Sequence, residues 1–382
     1  MKIVSLLVGL CLSFTVSHGQ TVVELFSGMD GFLLLDTGSP TQIWGYGYID
    51  EGTYTIPAPE LTFDLNDDIE LYFENWSPEA HTIHLHGLDV DQANDGVPQT
   101  SFQVTQGENA TYSFETTHPG TYLYHCHVTT TLHLTMGMYG MIVVNYNETQ
   151  AYEGSPAFDR EFRYLMSDLE IETNDAPNQA FPFHEIYPDY FMINGKSGDQ
   201  ITNTPSLSLS MEEGETGVVR FGSMAYSKLI VDIPEELNAV VHMSDGRVVP
   251  QTFGATELEI FPGERFTVFV DPDPGFEEDI LVSYYSMLNN ELEGVNTIPV
   301  TNLSNSVEES SRSSLEIYPN PSSGVIQLKG AEGNFVITDL HGKVVYVLNS
   351  TVKQHDLSHL NSGTYFLLDL DRKNSAQKLI IK

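Results

Sequence analysis

The chain has 382 residues, a length that fits two or three domains. Sixteen Lys and Arg against 53 Asp and Glu give a net charge of −37, and no Lys or Arg occurs between Ile3 and Asp159. Such a surface repels nucleic acid and anionic membranes and attracts cations, which excludes a nucleic-acid role.

Residues 1–19 have the features of a secretory signal peptide: a charged start at Lys2, a mostly apolar run from Ile3 to Val16, and a small-residue cleavage site at Ser17-His-Gly19. The apolar run is too short to span a bilayer. Its removal takes Cys11 away and leaves Cys126 as the sole cysteine, so the exported chain has no intrachain disulfide. A lone exported thiol needs deep burial or a task. Residues 20–150 read as a β-sandwich, with strand-like runs at 60–65, 69–73, 111–114 and 141–144 between turn formers and no convincing 3.6-residue period. Residues 151–300 repeat the pattern, with runs at 161–168, 190–196, 217–221, 229–232 and 265–270. There Pro262-Gly-Glu-Arg265 forms a turn entering a strand, as Gln106-Gly-Glu does in the first half. Residues 301–314 are a serine-rich linker, and residues 315–382 form a small β unit that holds most of the lysines.

Two short runs carry the chemistry. In the stretch from Gly120 to Gly140, Cys126 stands between His125 and His127, with His133 and Met138 downstream. A blue copper site needs a thiolate, two imidazoles and a weak axial thioether. Cys126, His133 and Met138 supply all but one imidazole, and the run His81-Thr-Ile-His84-Leu-His86-Gly87 can provide it. Side chains on a strand alternate between faces, so His125 and His127 share one face and Cys126 takes the other. By the same parity His84 and His86 share a face and His81 falls opposite. His81 therefore pairs with Cys126, and His84 and His86 pair with His125 and His127. His133 and Met138 are expected on the loop and strand start that follow.

These runs, with Asp95-Gly-Val-Pro98, resemble multicopper oxidases of the cupredoxin fold, strongly over residues 55–145 and weakly beyond, where Ile193-Asn-Gly-Lys196 and Asp245-Gly246 suggest a second cupredoxin domain. The resemblance implies an all-β fold of two tandem Greek-key sandwiches. It makes His81, Cys126, His133 and Met138 type 1 copper ligands, His84 a type 2 ligand, and His86, His125 and His127 type 3 ligands. It also implies an oxidase that takes electrons from a phenolic or metal-ion donor and reduces O2 to water. The interval from Cys126 to His133 is longer than in most laccases, which implies an altered loop over the type 1 copper. Tyr318-Pro-Asn-Pro-Ser-Ser-Gly324, Asp339-Leu-His-Gly-Lys343 and Gly363-Thr-Tyr365 resemble the C-terminal sorting domain of the type IX secretion system. That resemblance implies export through the periplasm and outer membrane, with release or retention at the cell surface. Its histidines, His341, His355 and His359, are expected on the surface.

The family's trinuclear cluster takes eight histidines, and this chain offers four. Beyond residue 150 the second sandwich has His184 and His242 and no His-X-His pair. His184 and His118 read as solvent-facing loop positions, and His242 as a strand residue without a metal. A homo-oligomer or a separate partner chain must then complete the cluster. Otherwise the protein is a nitrite-reductase-like or electron-transfer blue copper protein, or a non-catalytic copper-binding surface protein. The scarcity of Lys and Arg near the copper domain weighs against an anionic substrate.

Overall fold

The computed structural model describes residues 20–179, 186–303, 316–329, 334–338, 344–349, 354–369 and 376–382. The chain divides into two compact units, 1–305 and 306–382. Among the described residues no helix is long and apolar enough to cross a membrane.

The first half builds β1 (Thr21–Leu34), β2 (Pro40–Tyr48), β3 (Leu61–Asp64), β4 (Asp68–Asn75), β5 (His84–His86), β6 (Asn109–Glu115), β7 (Gly120–His125), helix α1 (Thr130–Thr135) and β8 (Tyr139–Asn145). One sheet has the order β2-β1-β4-β6 and the other β3-β8-β7-β5. Parallel pairing of β1 with β4 and of β3 with β8 links strands distant in sequence, which marks crossed rather than hairpin topology. Alternating apolar positions make the expected runs amphipathic; Ile69, Leu71 and Phe73 of β4 point into the core and their neighbours face outward. That core gathers Trp44, Tyr46, Phe73, Tyr112, Tyr124 and Ile142 around Cys126, Met136 and Met138.

The second half adds β9 (Arg160–Leu169), helix α2 (Ile171–Asp175), β10 (Tyr190–Ile193), β11 (Leu209–Glu212), β12 (Gly217–Ser223), β13 (Lys228–Asp232), β14 (Val240–Ser244) and β15 (Arg247–Gly254). It closes with β16 (Glu257–Ile260), β17 (Arg265–Val270), β18 (Ile280–Tyr285), β19 (Leu292–Ile298) and β20 (Val300–Leu303). A six-stranded sheet, β10-β9-β12-β17-β14-β15, faces the four-stranded β16-β13-β18-β19 across a separate core, and β11 pairs with β20. The two sandwiches share a third apolar cluster in which Leu123, Tyr139 and Met141 of the first meet Leu165, Met192 and Met224 of the second.

Two expectations change. The stretch 301–303, assigned to the linker, belongs to β20 and pairs with β11; residues 304–315 lie outside the described residues. His355 is buried on the strand Gln354–Asp356 instead of lying on the surface, because it falls on the inward face of a strand with an exposed-buried-exposed pattern. His359 is exposed as expected, whereas His341 and His184 lie outside the described residues. In the C-terminal unit a three-stranded and a four-stranded sheet enclose a core of Ile326, Phe335, Ile337, Leu367 and Leu379.

Candidate metal centre

β7 runs six fully buried residues into His125-Cys126-His127, so the backbone on which the site depends is fixed by pairing with β8 on one side and β5 on the other. The β5–β7 register sets His84 opposite His125 and His86 opposite Leu123. The side-chain parity expected from sequence therefore becomes two clusters on opposite faces of one sheet.

The inner cluster lies in the core of the first sandwich. Cys126 Sγ stands 3.5 Å from His81 Nδ1 and 3.1 Å from His133 Nδ1, and the three donors lie within 4.8 Å of one another. His81 is held by paired backbone hydrogen bonds with Val104. His133 is carried by α1, a correction to the loop expected there; six residues are too few to register a helical period in sequence. The helix starts from Thr129, which lies in the left-handed region at φ 44°. After it, Met138 N–H donates to His133 O and Cys126 N–H donates to Met138 O, tying the ends of the loop together. Met136 and Met138 are both fully buried in the same core.

Burial sets the protonation of these groups. It lowers His81 to about 3, with the neighbouring His133 adding to the effect, and it lowers His133 to about 4. It also raises the Cys126 thiol. Two neutral imidazoles with a ring nitrogen close to a sulfur, in an apolar setting, suit a soft cation, and only a bound cation makes such a thiol a thiolate. The donor set fits copper on these grounds.

The outer cluster faces the second sandwich. His84, His86 and His125 each bring a ring nitrogen within 4.8 Å of the others, and the nearest pair, His86 Nδ1 and His125 Nε2, is 3.3 Å apart. His127 joins at the side, its ring 5.2 Å from that of His84 and near-parallel to that of His125. Burial lowers His125 to about 3 and His86 to about 4, so both keep lone pairs free at neutral pH. The other ring nitrogen is anchored in two cases: His125 Nδ1 lies 3.1 Å from Cys126 O, and His84 Nδ1 lies 2.7 Å from Asp95 O. Gly96 makes the second contact possible. It has φ 71°, and a Cβ there would run into the Ile83 carbonyl.

Sequence reasoning missed the cation beside this cluster. Although the first 159 residues lack Lys and Arg beyond Lys2, four arginines of the second sandwich reach across: Arg163 to Glu60, Arg220 to Thr121, Arg247 to Asp89 and Arg265 to the Thr121 carbonyl. Arg265 also acts electrostatically on His86, second only to burial in lowering its proton affinity. The argument from composition against anions near the site is therefore corrected. Charge counted along the chain does not report charge brought in by folding, although Pro262-Gly-Glu-Arg265 was visible as a turn. Of the other histidines, His118 is half-exposed beside Asp89, as expected, and His242 lies on β14 with its Nδ1 2.9 Å from Tyr152 Oη.

Beside His133 lies a cavity of about 890 Å³ lined by Trp44, Trp76, Tyr54, Asp30, Glu79 and Asp175. Trp44 packs edge-on against the His133 ring at 5.3 Å, and Glu79 Oε2 is 3.5 Å from His133 Nε2.

A multicopper oxidase family pattern matches residues 37–149, and a secretion system C-terminal sorting domain matches residues 316–382. Copper resistance protein A of Escherichia coli is 31% identical over 140 residues, covering 36% of this chain and 22% of that protein. A copper-containing nitrite reductase of Neisseria gonorrhoeae is 27% identical over 167 residues, covering 42% and 40% respectively. The chain thus spans about a fifth to two fifths of the length of these curated relatives. Among solved structures, the blue copper oxidase from Nitrosomonas europaea aligns with a TM-score of 0.61 at 20% identity, covering 74% of this chain and 86% of that one. The copper nitrite reductase from Nitrosomonas europaea gives 0.58 at 19%, covering 74% and 95%. At these identities the likeness establishes the cupredoxin-type all-β fold.

Proposed function

From a chain that joins a multicopper oxidase domain to a secretion sorting domain, we propose an exported copper oxidoreductase of the oxidase type, in which each chain holds a type 1 site and half of a histidine cluster. His81, Cys126, His133 and Met138 would hold the first metal, and His84, His86, His125 and His127 the second group. Copper bound there would supply one-electron uptake at the thiolate and reduction of O2 to water at the histidines. The observation that carries the reading is the His125-Cys126-His127 run. It joins two donor sets on opposite faces of one strand end through a few covalent bonds.

The chain's own residues perform definable parts of this. Neutral, buried imidazoles keep their lone pairs for metal across the ordinary pH range. The aromatic and acidic cavity beside His133 admits a phenolic or metal-ion donor, and Glu79 stands where it accepts a proton or attracts a cation. Four histidines leave the cluster half-built, so a second copy of the chain or a partner protein supplies the rest. The C-terminal unit directs the protein to the outer-membrane secretion machinery, for release or display at the cell surface.

A second reading has one observation in its favour. Among the described residues only three nitrogens, from His84, His86 and His125, converge closely in the outer cluster, which suits a single copper with an open position. That arrangement serves a nitrite-reductase-like or electron-transfer protein. Copper stoichiometry on the purified oligomer, with visible and EPR spectra, O2 uptake and nitrite turnover, separates the readings. One copper per chain with no O2 consumption would refute the oxidase. Replacing His125 or His127 should leave the blue colour and stop O2 reduction.

A further inference from the structure

Among the described residues the second sandwich contributes no histidine to the outer cluster, yet it sends Arg265 there. The side chain of Arg265 is only 4% exposed. Its Nε donates to Thr121 O at 3.2 Å, and its Nη1 donates to Gly263 O at 2.6 Å and lies 2.9 Å from Asp245 Oδ1. Nη2 has no hydrogen-bond partner among the described residues. It lies against Gly87, the residue after His86, where a Cβ would collide with it. The turn that carries Arg265 also rests on the His86 ring, since a Cβ on Gly263 would stand 2.9 Å from His86 Cε1. The Arg265–Asp245 pair is oriented: its positive end is buried at the cluster, while the Asp245 side chain is about half exposed. A guanidinium keeps its charge at any working pH and presents its donors in a fixed fork. One arm of that fork is free, beside a set of metal-binding imidazoles.

We propose that Arg265 makes the His84-His86-His125 centre selective for small anions, with Nη2 donating a hydrogen bond to an anion held at the metal. This rests on the reading of the outer cluster as a copper site. The class is the small inorganic anions that bind copper(II), for which azide and nitrite serve as probes. A charge-assisted hydrogen bond is among the stronger polar contacts in a partly buried site, so its loss is readable as an affinity change.

The test titrates azide into the copper-loaded full chain at constant ionic strength, following the azide-to-copper(II) absorption band and the EPR signal of the non-blue copper. The blue band of the Cys126 site serves as an internal measure of folding. Arg265→Gln should weaken azide binding about ten- to a hundredfold, the range for one hydrogen bond to a charged group, with the blue band intact. Because Arg265 also ties the two sandwiches together, a second variant reads the same idea with opposite sign. Asp245→Asn removes the counter-charge from an exposed position and should tighten azide binding, and nitrite should follow azide in both variants. Azide affinity unchanged in both, with copper content unchanged, would overturn the proposal alone. A wild-type chain that takes up only the blue copper would overturn the parent reading, and this one with it.

Discussion

Acidifying the metal-free protein tests whether the four buried imidazoles are as shielded as the structure requires. His81 and His125 are lowered to about 3, and His86 and His133 to about 4, chiefly by burial. In the unfolded chain each would titrate near 6.5. The unfolded state therefore binds more protons between about pH 6.5 and each folded value, so stability falls as pH falls through that window. At about pH 4.5 each imidazole costs roughly 2.5 kcal/mol relative to neutral pH, or about 10 kcal/mol for the four. Buried Asp168 acts the other way. Burial raises it to about 6, so its protonation in the folded state returns about 2 kcal/mol over the same interval. The net loss, about 8 kcal/mol, is comparable to the whole stability of an ordinary domain. Both tryptophans, Trp44 and Trp76, lie in the first sandwich, so urea denaturation followed by their fluorescence reports on the half that holds the sites. The midpoint should fall steeply from about pH 6.5 downward in the metal-free protein, and at least as steeply from a higher starting value with copper bound, because the metal-held imidazoles and thiolate take up protons on unfolding. An unchanged midpoint between about pH 7 and 4.5 without metal would mean that the imidazoles are open to water, and the shielding argument would fail.

Other outcomes follow from single contacts. Cys126→Ser should abolish the blue absorption and spare copper binding at the outer histidines, which metal analysis and EPR would show. Glu161→Gln should destabilise the 1–305 unit by about 3–5 kcal/mol in denaturation, since it leaves the fully buried Arg220 guanidinium without its 2.6 Å carboxylate partner. Gly87→Ala should lower the unfolding midpoint and displace Arg265, because the position has φ 87° and Nη2 occupies the space a methyl would need. A Gly107→Ala control, also at positive φ but with nothing near its Cβ, isolates the backbone part of that loss.

The period of a strand made the centre legible. Alternation alone separated Cys126 from His125 and His127 and sorted His81 from His84 and His86, and the two clusters divide along those lines. Register was not legible: the pairing of His84 with His125 depends on β5, three residues long and too short for any pattern to show. The helix that presents His133 escaped for the same reason of length. His355 was misplaced because an isolated polar residue says nothing of which face of its strand turns inward. Arg265 was missed for a different reason. It lies 179 residues from His86 in sequence, and only the packing of β17 on β7 makes them neighbours.

Every arginine that crosses to the first sandwich follows it in the polypeptide. During synthesis, residues 20–150 are complete while Arg163, Arg220, Arg247 and Arg265 are still to be added. At about 5–20 residues per second, the ribosome takes on the order of ten seconds to travel from the end of the first sandwich to Arg265. Through that interval Glu60 and Asp89 have no arginine to meet, and the Thr121 and Leu123 face of β7 lacks its partner sheet. The order of the chain is thus also the order in which the parts of the clamp become available, with the strand first and the cations that hold it after.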